Sequence, residues 1–344
     1  MSTQSELHPA GSEPPPPGED GNRGQRLLRA LAEQILLVPW VGVLLGVLLI
    51  GAYITFTAPC KCFLTQDNIL TVAQQFSYVG IAALGGAMVI MTRGIDLSVG
   101  ANMALSGLVT ADVMSRGVSA GVGVLTGLGV GLGVGLINGF LITGIGLQPF
   151  IATLGMLSVV RGAALARSQG FTLYPPTSFT VYGQGKIGPF PNPVIIMLVL
   201  AAILSIFLAN TALGRHIYAV GGNENASRLL GIKTNRVKVF VYAAAGVLGA
   251  IGGILLMSFL GSADPGAATG YELDVIAACV IGGVSLFGGE GSLIGVIVGA
   301  ALIEEIRNGL VLENVPGYWE TLVIGIVILA AMTVDQGRRR LRRS

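Results

Sequence analysis

Charge is what this chain has least of. Asp, Glu, Lys and Arg together make up 11% of its 344 residues, less than half the roughly 25% of an average soluble domain. Set against 52% hydrophobic residues and a mean hydropathy of +0.76, that shortage excludes a water-soluble globular domain and places the chain in a bilayer. Cysteine numbers three and histidine two, too few thiols for a disulfide scaffold. No histidine lies near Cys60-Lys61-Cys62, so no metal site is expected. In a predicted outer loop, Cys60 and Cys62 either pair with each other or with a partner, or are two loop thiols without a role. The phosphate-binding pattern G-x-x-x-x-G-K-[ST] is missing, so the chain does not cradle ATP by itself. Gly183 to Gly188 matches G-x-G-x-x-G, but in a Pro-rich loop with no strand before it, which marks a chance match. No triad or metal-ligand cluster is visible. The chain is therefore not expected to be an enzyme, nor to carry catalytic, cofactor-binding or metal residues.

What is present are apolar runs. A helical span needs about 20 residues to cross the hydrocarbon core, and such runs fall at 35–57, 69–91, 97–115, 119–142, 149–167, 193–210, 237–260, 271–287, 292–307 and 318–334. The fold class is all-α: a polytopic integral membrane protein of about ten transmembrane helices. An even number puts both termini on one side. Basic residues gather in the N-terminal tail, in the 211–238 loop and in the arginine run from Arg338, which makes that side the cytoplasm. The C-terminal arginines read as orientation and headgroup anchors rather than as a nucleic-acid contact. The chain thus divides into a Pro-rich tail at 1–34, expected to be disordered, a membrane-spanning body at 35–334 and a basic cytoplasmic tail at 335–344. The first apolar run lies too far in to be a signal segment.

Two features complicate the count. The 149–167 segment holds Arg161 and Arg167 and need not cross fully. The turns inside 69–115 and 271–307 resemble each other, MTRGIDLSVG at 91–100 and VIGGVSLFGG at 280–289. Either turn could dip into the membrane as a broken helix. The 168–192 segment, rich in Pro, Gly and aromatics, reads as a lid-like loop or short interfacial helix on the outer face.

Within the spans, Gly123, Gly127, Gly131, Gly135 and Gly139 recur every four residues and line one helix face, for packing inside the subunit or against another. Arg93, Asp96 and Ser98 lie in the first turn. Asp96 is placed either to cap the next helix and pair locally, or to act in gating. Gln74, Gln75, Asn102 and Asn138 offer donors and acceptors to a neutral polyhydroxylated solute, or equally to neighbouring helices. Glu272 and Asp274 are embedded too, while Glu304 and Glu305, near a span end, read as solvated.

The 213–238 stretch is a basic island with a single acid, Glu224. Its middle reads as a short helix from Glu224 to about Leu230, ended by Gly231. Ala226, Leu229 and Leu230 would form a small apolar face.

Together GIDLSVGA (94–101), TLGMLSVVRG (153–162), AVGGNENASRLLGI (219–232) and SLFGGEGSLIG (285–295) resemble the permease subunits of bacterial monosaccharide ABC importers, the ribose, xylose, galactose and inositol type. The resemblance covers about 36–334. It implies an inner-membrane permease that works as a pair with a second permease subunit, identical or paralogous. A cytoplasmic ABC ATPase binding ATP and Mg, and a periplasmic sugar-binding protein, are its other implied partners. It assigns ATPase coupling to Gly221, Gly222, Asn223, Glu224, Ala226, Leu229, Leu230, Gly231 and Ile232. Ser227 stands where the family often has alanine, which keeps a small side chain. The alternatives are an ABC permease for another solute (a branched-chain amino acid, cobalamin or an autoinducer) and a secondary transporter using Asp96, Glu272 or Asp274 for ion coupling.

Overall fold

The computed structural model describes residues 39–343; the expected 1–34 tail and the beginning of the 35–57 segment lie outside them. Each predicted segment contains a helix: α1 (Pro39–Thr57), α2 (Gln66–Met91), α3 (Val99–Ser115), α4 (Ala120–Phe140), α5 (Pro149–Ser168), then a single turn α6 (Val181–Gln184), a two-residue hairpin of β1 (Lys186–Ile187) and β2 (Phe190–Pro191), and α7 (Asn192–Asn210). After them come α8 (Ala212–Gly222), α9 (Glu224–Leu229), α10 (Thr234–Leu260), α11 (Tyr271–Ile281), α12 (Leu293–Leu312) and α13 (Tyr318–Arg343). Among the described residues, six helices are long and apolar enough to cross a membrane: Trp40–Thr57, Gln66–Met91, Ala120–Ile145, Pro149–Ser168, Asn192–Asn210 and Thr234–Leu260. The doubtful 149–167 segment is one of them. α13 runs on unbroken through the arginine run set apart above as a tail.

α10 is the central column, packed along α4, α2 and α3. The glycine stripe explains how it gets so close. A Cβ at Gly131, Gly135 or Gly139 would lie 2.5 Å from the Gly246 carbonyl oxygen, 2.3 Å from that of Tyr242 and 2.9 Å from Val239 Cα respectively. Gly123 and Gly127 meet Met114 and Thr110 of α3 in the same way. The stripe is thus used inside the subunit, while Leu125, Leu132 and Leu136 beside it stay exposed.

The middle of the bundle is broken. α11 has 11 residues, about 16 Å of helix at 1.5 Å per residue, half of a hydrocarbon core. The predicted 271–287 span therefore stops short, at Ile281. Two irregular segments meet inside the bundle, 94–98 before α3 and 261–270 before α11: a Cβ on Gly100 would strike the Ala268 carbonyl oxygen at 2.5 Å and Glu272 Oε2 at 2.4 Å. One dip lies in the expected first turn; the other lies before α11, not in the 282–292 turn after it. Irregular backbone at this depth needs internal partners, and it has them. Arg161 Nη1 donates to the carbonyls of Pro265 and Ala267, both at 2.8 Å. Thr153 and Tyr242 each donate to the Ile95 carbonyl at 3.2 Å. Arg161 therefore sits within α5, not at its end, and its charge is placed on backbone dipoles.

The 168–192 connection, read above as a lid-like loop or short interfacial helix, holds α6 and the β1–β2 hairpin. It is tied to the outer end of α10: Gly183 N donates to Ser258 Oγ at 2.8 Å, Gln184 Nε2 to the Phe259 carbonyl at 2.7 Å, and Leu173 bridges Ala263. Cys60 and Cys62 form a disulfide in the α1–α2 loop. Cys279 is buried in α11.

Candidate coupling and transport site

The basic island folds into two helices, of which the sequence reading anticipated only the second. Thr211 caps α8 through a bond from Gly214 N at 3.0 Å. Asn223 ends α8 and caps α9, its Oδ1 accepting from Ala226 N at 3.0 Å. α9 closes where expected, with Gly231 in the left-handed conformation at φ 82°. The acid at the α9 N-terminus suits the helix dipole. It also bonds both flanking cations, Arg228 at 2.9 Å and Lys238 at 2.7 Å. Burial pushes the Glu224 carboxyl up, but Lys238 and Arg228 outweigh it and hold it below the usual carboxylate range. A depressed carboxyl contributes stability at neutral pH and loses it as the pH falls through the lowered value. Ser227 is buried beneath the helix and Ile232 packs on the core. Leu229 and Leu230 do neither: they are 90% and 82% exposed.

The end of α8 is clasped from below. Arg93 Nε donates to the carbonyls of Gly221 at 2.6 Å and Phe287 at 2.8 Å, and Nη2 to that of Gly222 at 2.6 Å. The last carbonyls of a helix lack internal partners, and a guanidinium meets them with both fork geometry and charge. Gly289 N donates to the Met91 carbonyl at 2.9 Å. The two similar turns, 189 residues apart in the matched strings, thus converge on one pair of glycines. They also share backbone form. Gly94 N bonds the Val89 carbonyl and Val284 N that of Cys279, both at 2.9 Å. Asp96 Oδ1 accepts from Ser98 N at 2.9 Å, as Ser285 Oγ does from Phe287 N at 3.2 Å. They differ at the left-handed residue: Gly283 (φ 88°) in one, Arg93 (φ 63°) rather than Gly94 in the other. A non-glycine in that region costs roughly 1–3 kcal/mol, here offset by three bonds from the same side chain.

The remaining pathway candidates are mostly engaged between helices. Asp96 caps its own turn and makes no ion pair with Arg93. Ser98 Oγ donates to Asp96 at 2.6 Å and accepts from Asn138 Nδ2 at 2.9 Å. Asn102 Nδ2 donates to the Gly246 carbonyl at 2.8 Å, and Gln74 donates to that of Gly183. Gln75 differs: it lines a cavity of about 440 Å3 on the lid side of the bundle.

That cavity is bordered by an ionic cluster that sequence reasoning missed. Arg307 bonds Asp274 at 2.9 Å and Glu304 at 2.8 Å, and also reaches Glu320. Glu304 and Glu305 are not solvated; both are buried, and Glu305 lies against Gly51 of α1. The apolar residues around each acid in α12 are compatible with either orientation, so only the approach of α11 and α13 reveals the pairing.

The comparisons agree with this architecture. Residues 68–332 match the family described as "Branched-chain amino acid transport system / permease component". The ribose import permease of Bacillus subtilis (strain 168) is 42% identical over 299 residues, 86% of this chain and 92% of the relative. The ribose import permease of Escherichia coli (strain K12) is 39% identical over 303 residues, 86% and 93% of the two chains. The D-allose transport system permease of the same strain is 38% identical over 276 residues, 80% and 85%. No solved structure matches the chain. With most of each chain aligned, membership is plain: this multi-pass membrane protein belongs to the transport-system permease component family, in the company of import permeases for ribose and allose.

Proposed function

We propose that the chain is the membrane-spanning permease subunit of an ATP-driven importer for a monosaccharide or related polyol. It would lie in the bacterial inner membrane as a multi-pass protein with both termini in the cytoplasm. A separate ATPase docks on α9, a binding protein delivers the sugar to the lid side, and a second permease subunit completes the pathway. Relatives at 38–42% identity named for ribose and allose favour a sugar over the amino acid of the family description. The same import-permease relatives disfavour the ion-coupled alternative, and Asp274 is paired with Arg307 and Asp96 held by Ser98.

One observation supports the coupling assignment above the others. Two adjacent leucines stand almost fully exposed at the end of α9, which follows directly on the α8 end that both turns clasp. Burying two such side chains yields about 1.5–3 kcal/mol each, a natural seat for a groove on the ATPase. Movement of α9 then passes through Gly221 and Gly222 to α2 and α12. Reconstituted with its ATPase and binding protein, the chain should take up radiolabelled D-ribose or D-allose only with a working ATPase. Equal uptake by a complex whose ATPase cannot hydrolyse ATP would overturn the scheme in favour of a secondary transporter.

The clasp has its own test. Arg93→Gly removes the guanidinium and relieves the left-handed backbone, which offsets part of the lost bonding, so the chain should still insert and bind its ATPase. Charge-assisted bonds are worth about 1.5–3 kcal/mol each, so uptake should fall about tenfold or more while the bound ATPase still hydrolyses ATP. Undiminished uptake would remove Arg93 from the coupling route.

A further inference from the structure

We infer that the lid-side cavity is a transient binding site for the sugar within the permease itself, a resting point between the binding protein and the inner half of the pathway. This rests on the sugar-importer reading above. Its wall combines Gln75 and Tyr78 of α2, Tyr271 and Asp274 of α11, Arg307 of α12 and Glu320 of α13. At about 440 Å3 it falls in the range of small-molecule sites, about 300–1,000 Å3.

Three features give it a ligand. Tyr78 is 1% exposed and lines the wall, and its hydroxyl has only the Gln74 side chain beside it, with no hydrogen bond of good geometry among the described residues. The nearby Gln74 amide donates to the Gly183 carbonyl instead. A buried hydroxyl left unpaired costs free energy that a bound solute would recover. Arg307 holds Asp274, Glu304 and Glu320 through one oxygen each, so the second oxygens face no protein donor. Fixed carboxylates with spare lone pairs accept strongly from hydroxyl groups. The rings of Phe259 and Tyr271 line the same wall, and apolar ring faces suit the C–H side of a pyranose or furanose. A metal ion is the other occupant that carboxylates would favour. However, the described residues contain no grouping able to hold one, and the guanidinium among the acids opposes a cation.

The location fits transient holding. The floor is the irregular 261–270 segment, carried by Arg161 and touching the start of α3 at Gly100. A half-length helix, α11, begins there, as in transporters whose broken helices end at the solute. Tilting α2 or α12 from the coupling end would reshape the cavity at once, because both helices contribute to its wall.

The test uses the whole importer in proteoliposomes with radiolabelled D-ribose, D-allose, D-xylose and D-galactose. Tyr78→Phe deletes only the unpaired hydroxyl and should fold as the parent does. Its maximal uptake should fall about fivefold to tenfold, the loss of one bond to the solute, as should that of Gln75→Leu. A second measurement avoids turnover. Thr321→Cys, at the cavity edge, is labelled from outside with an impermeant maleimide; the native thiols are paired or buried. The transported sugar at millimolar concentration should slow that labelling, and less so with Tyr78→Phe. If the parent complex transports none of the four sugars, the sugar reading falls and this site with it. If the parent transports one while both variants match it and labelling is unchanged, the cavity site alone falls. Equal slowing by potassium chloride would make it a cation site and overturn the proposal.

Discussion

Replacing Gly221 with alanine is expected to abolish sugar uptake, while the same change at Gly222 leaves it intact. The two residues are neighbours in the same helix end, but their surroundings differ completely. A Cβ on Gly221 would fall 1.7 Å from the Met91 carbonyl oxygen and 2.5 Å from Gly289 N. Both are backbone atoms, and no rotamer change can clear them. A Cβ on Gly222 meets nothing within 4 Å. Overpacking against side chains typically costs about 1–3 kcal/mol. Against two turns of backbone the cost must be higher, or α8 must be pushed away from them. Displacement would open the Arg93 bonds to Gly221 and Gly222 and disconnect the island from α2 and α12. Uptake, surface expression and ATPase co-purification should be measured for both variants. Loss of uptake with the ATPase still bound supports the mechanical link. Wild-type uptake by Gly221→Ala would exclude tight apposition of these turns in the working protein.

Leu229→Glu carries the second large effect. Leu229 lies on the solvent side of α9 and is 90% exposed, so the permease alone should insert and stay folded. In the proposed complex the same side chain would be buried by the ATPase. The variant gives up about 1.5–3 kcal/mol of apolar burial and adds an unpaired carboxylate to a dry interface. Together these predict at least about a hundredfold weaker ATPase binding. Leu229→Met, which keeps volume and character, should be nearly neutral. Co-purification in detergent reads the difference directly. Full ATPase recovery with Leu229→Glu would remove α9 as the docking element. Both predictions bear on one path, but they fail separately: the glycine tests transmission, the leucine attachment.

Hydropathy and capping made much of this fold legible. The apolar runs located the helices, and Glu224 with Gly231 bounded α9 within a residue. The glycine spacing pointed to a close helix contact, though not to α10 as its main partner. What escaped was whatever depends on a partner far along the chain. Arg93 carries no mark of Gly221, 128 residues away. Arg161 reads as an arginine at a span end until the 261–270 carbonyls come to it. Glu304 looks solvated because, although Arg307 follows it at i+3, nothing local shows that Asp274 and Glu320 close over the pair. α11 was drawn too long because Gly282 and Gly283 are apolar enough to extend a hydropathy run yet end the helix. Tyr78 was unremarked, since an unpaired hydroxyl is a property of surroundings and not of sequence.

The broken stretch around α11 also bears on how the protein is made. α11 begins with Glu272 and Asp274 in its first turn and has only 11 residues. α12 brings Glu304, Glu305 and Arg307. A lone acid or arginine at a helix centre opposes insertion by about 2.5–3.5 kcal/mol, so neither element is a good passenger for the translocon alone. Arg307 offsets part of this charge only when it meets Asp274 and Glu304, and the irregular 261–270 segment is tolerable only when Arg161 is already in place. Biogenesis is therefore expected to have an order, with α2 to α10 assembling first as a receptacle and α11 with α12 entering it as a hairpin near the end of synthesis.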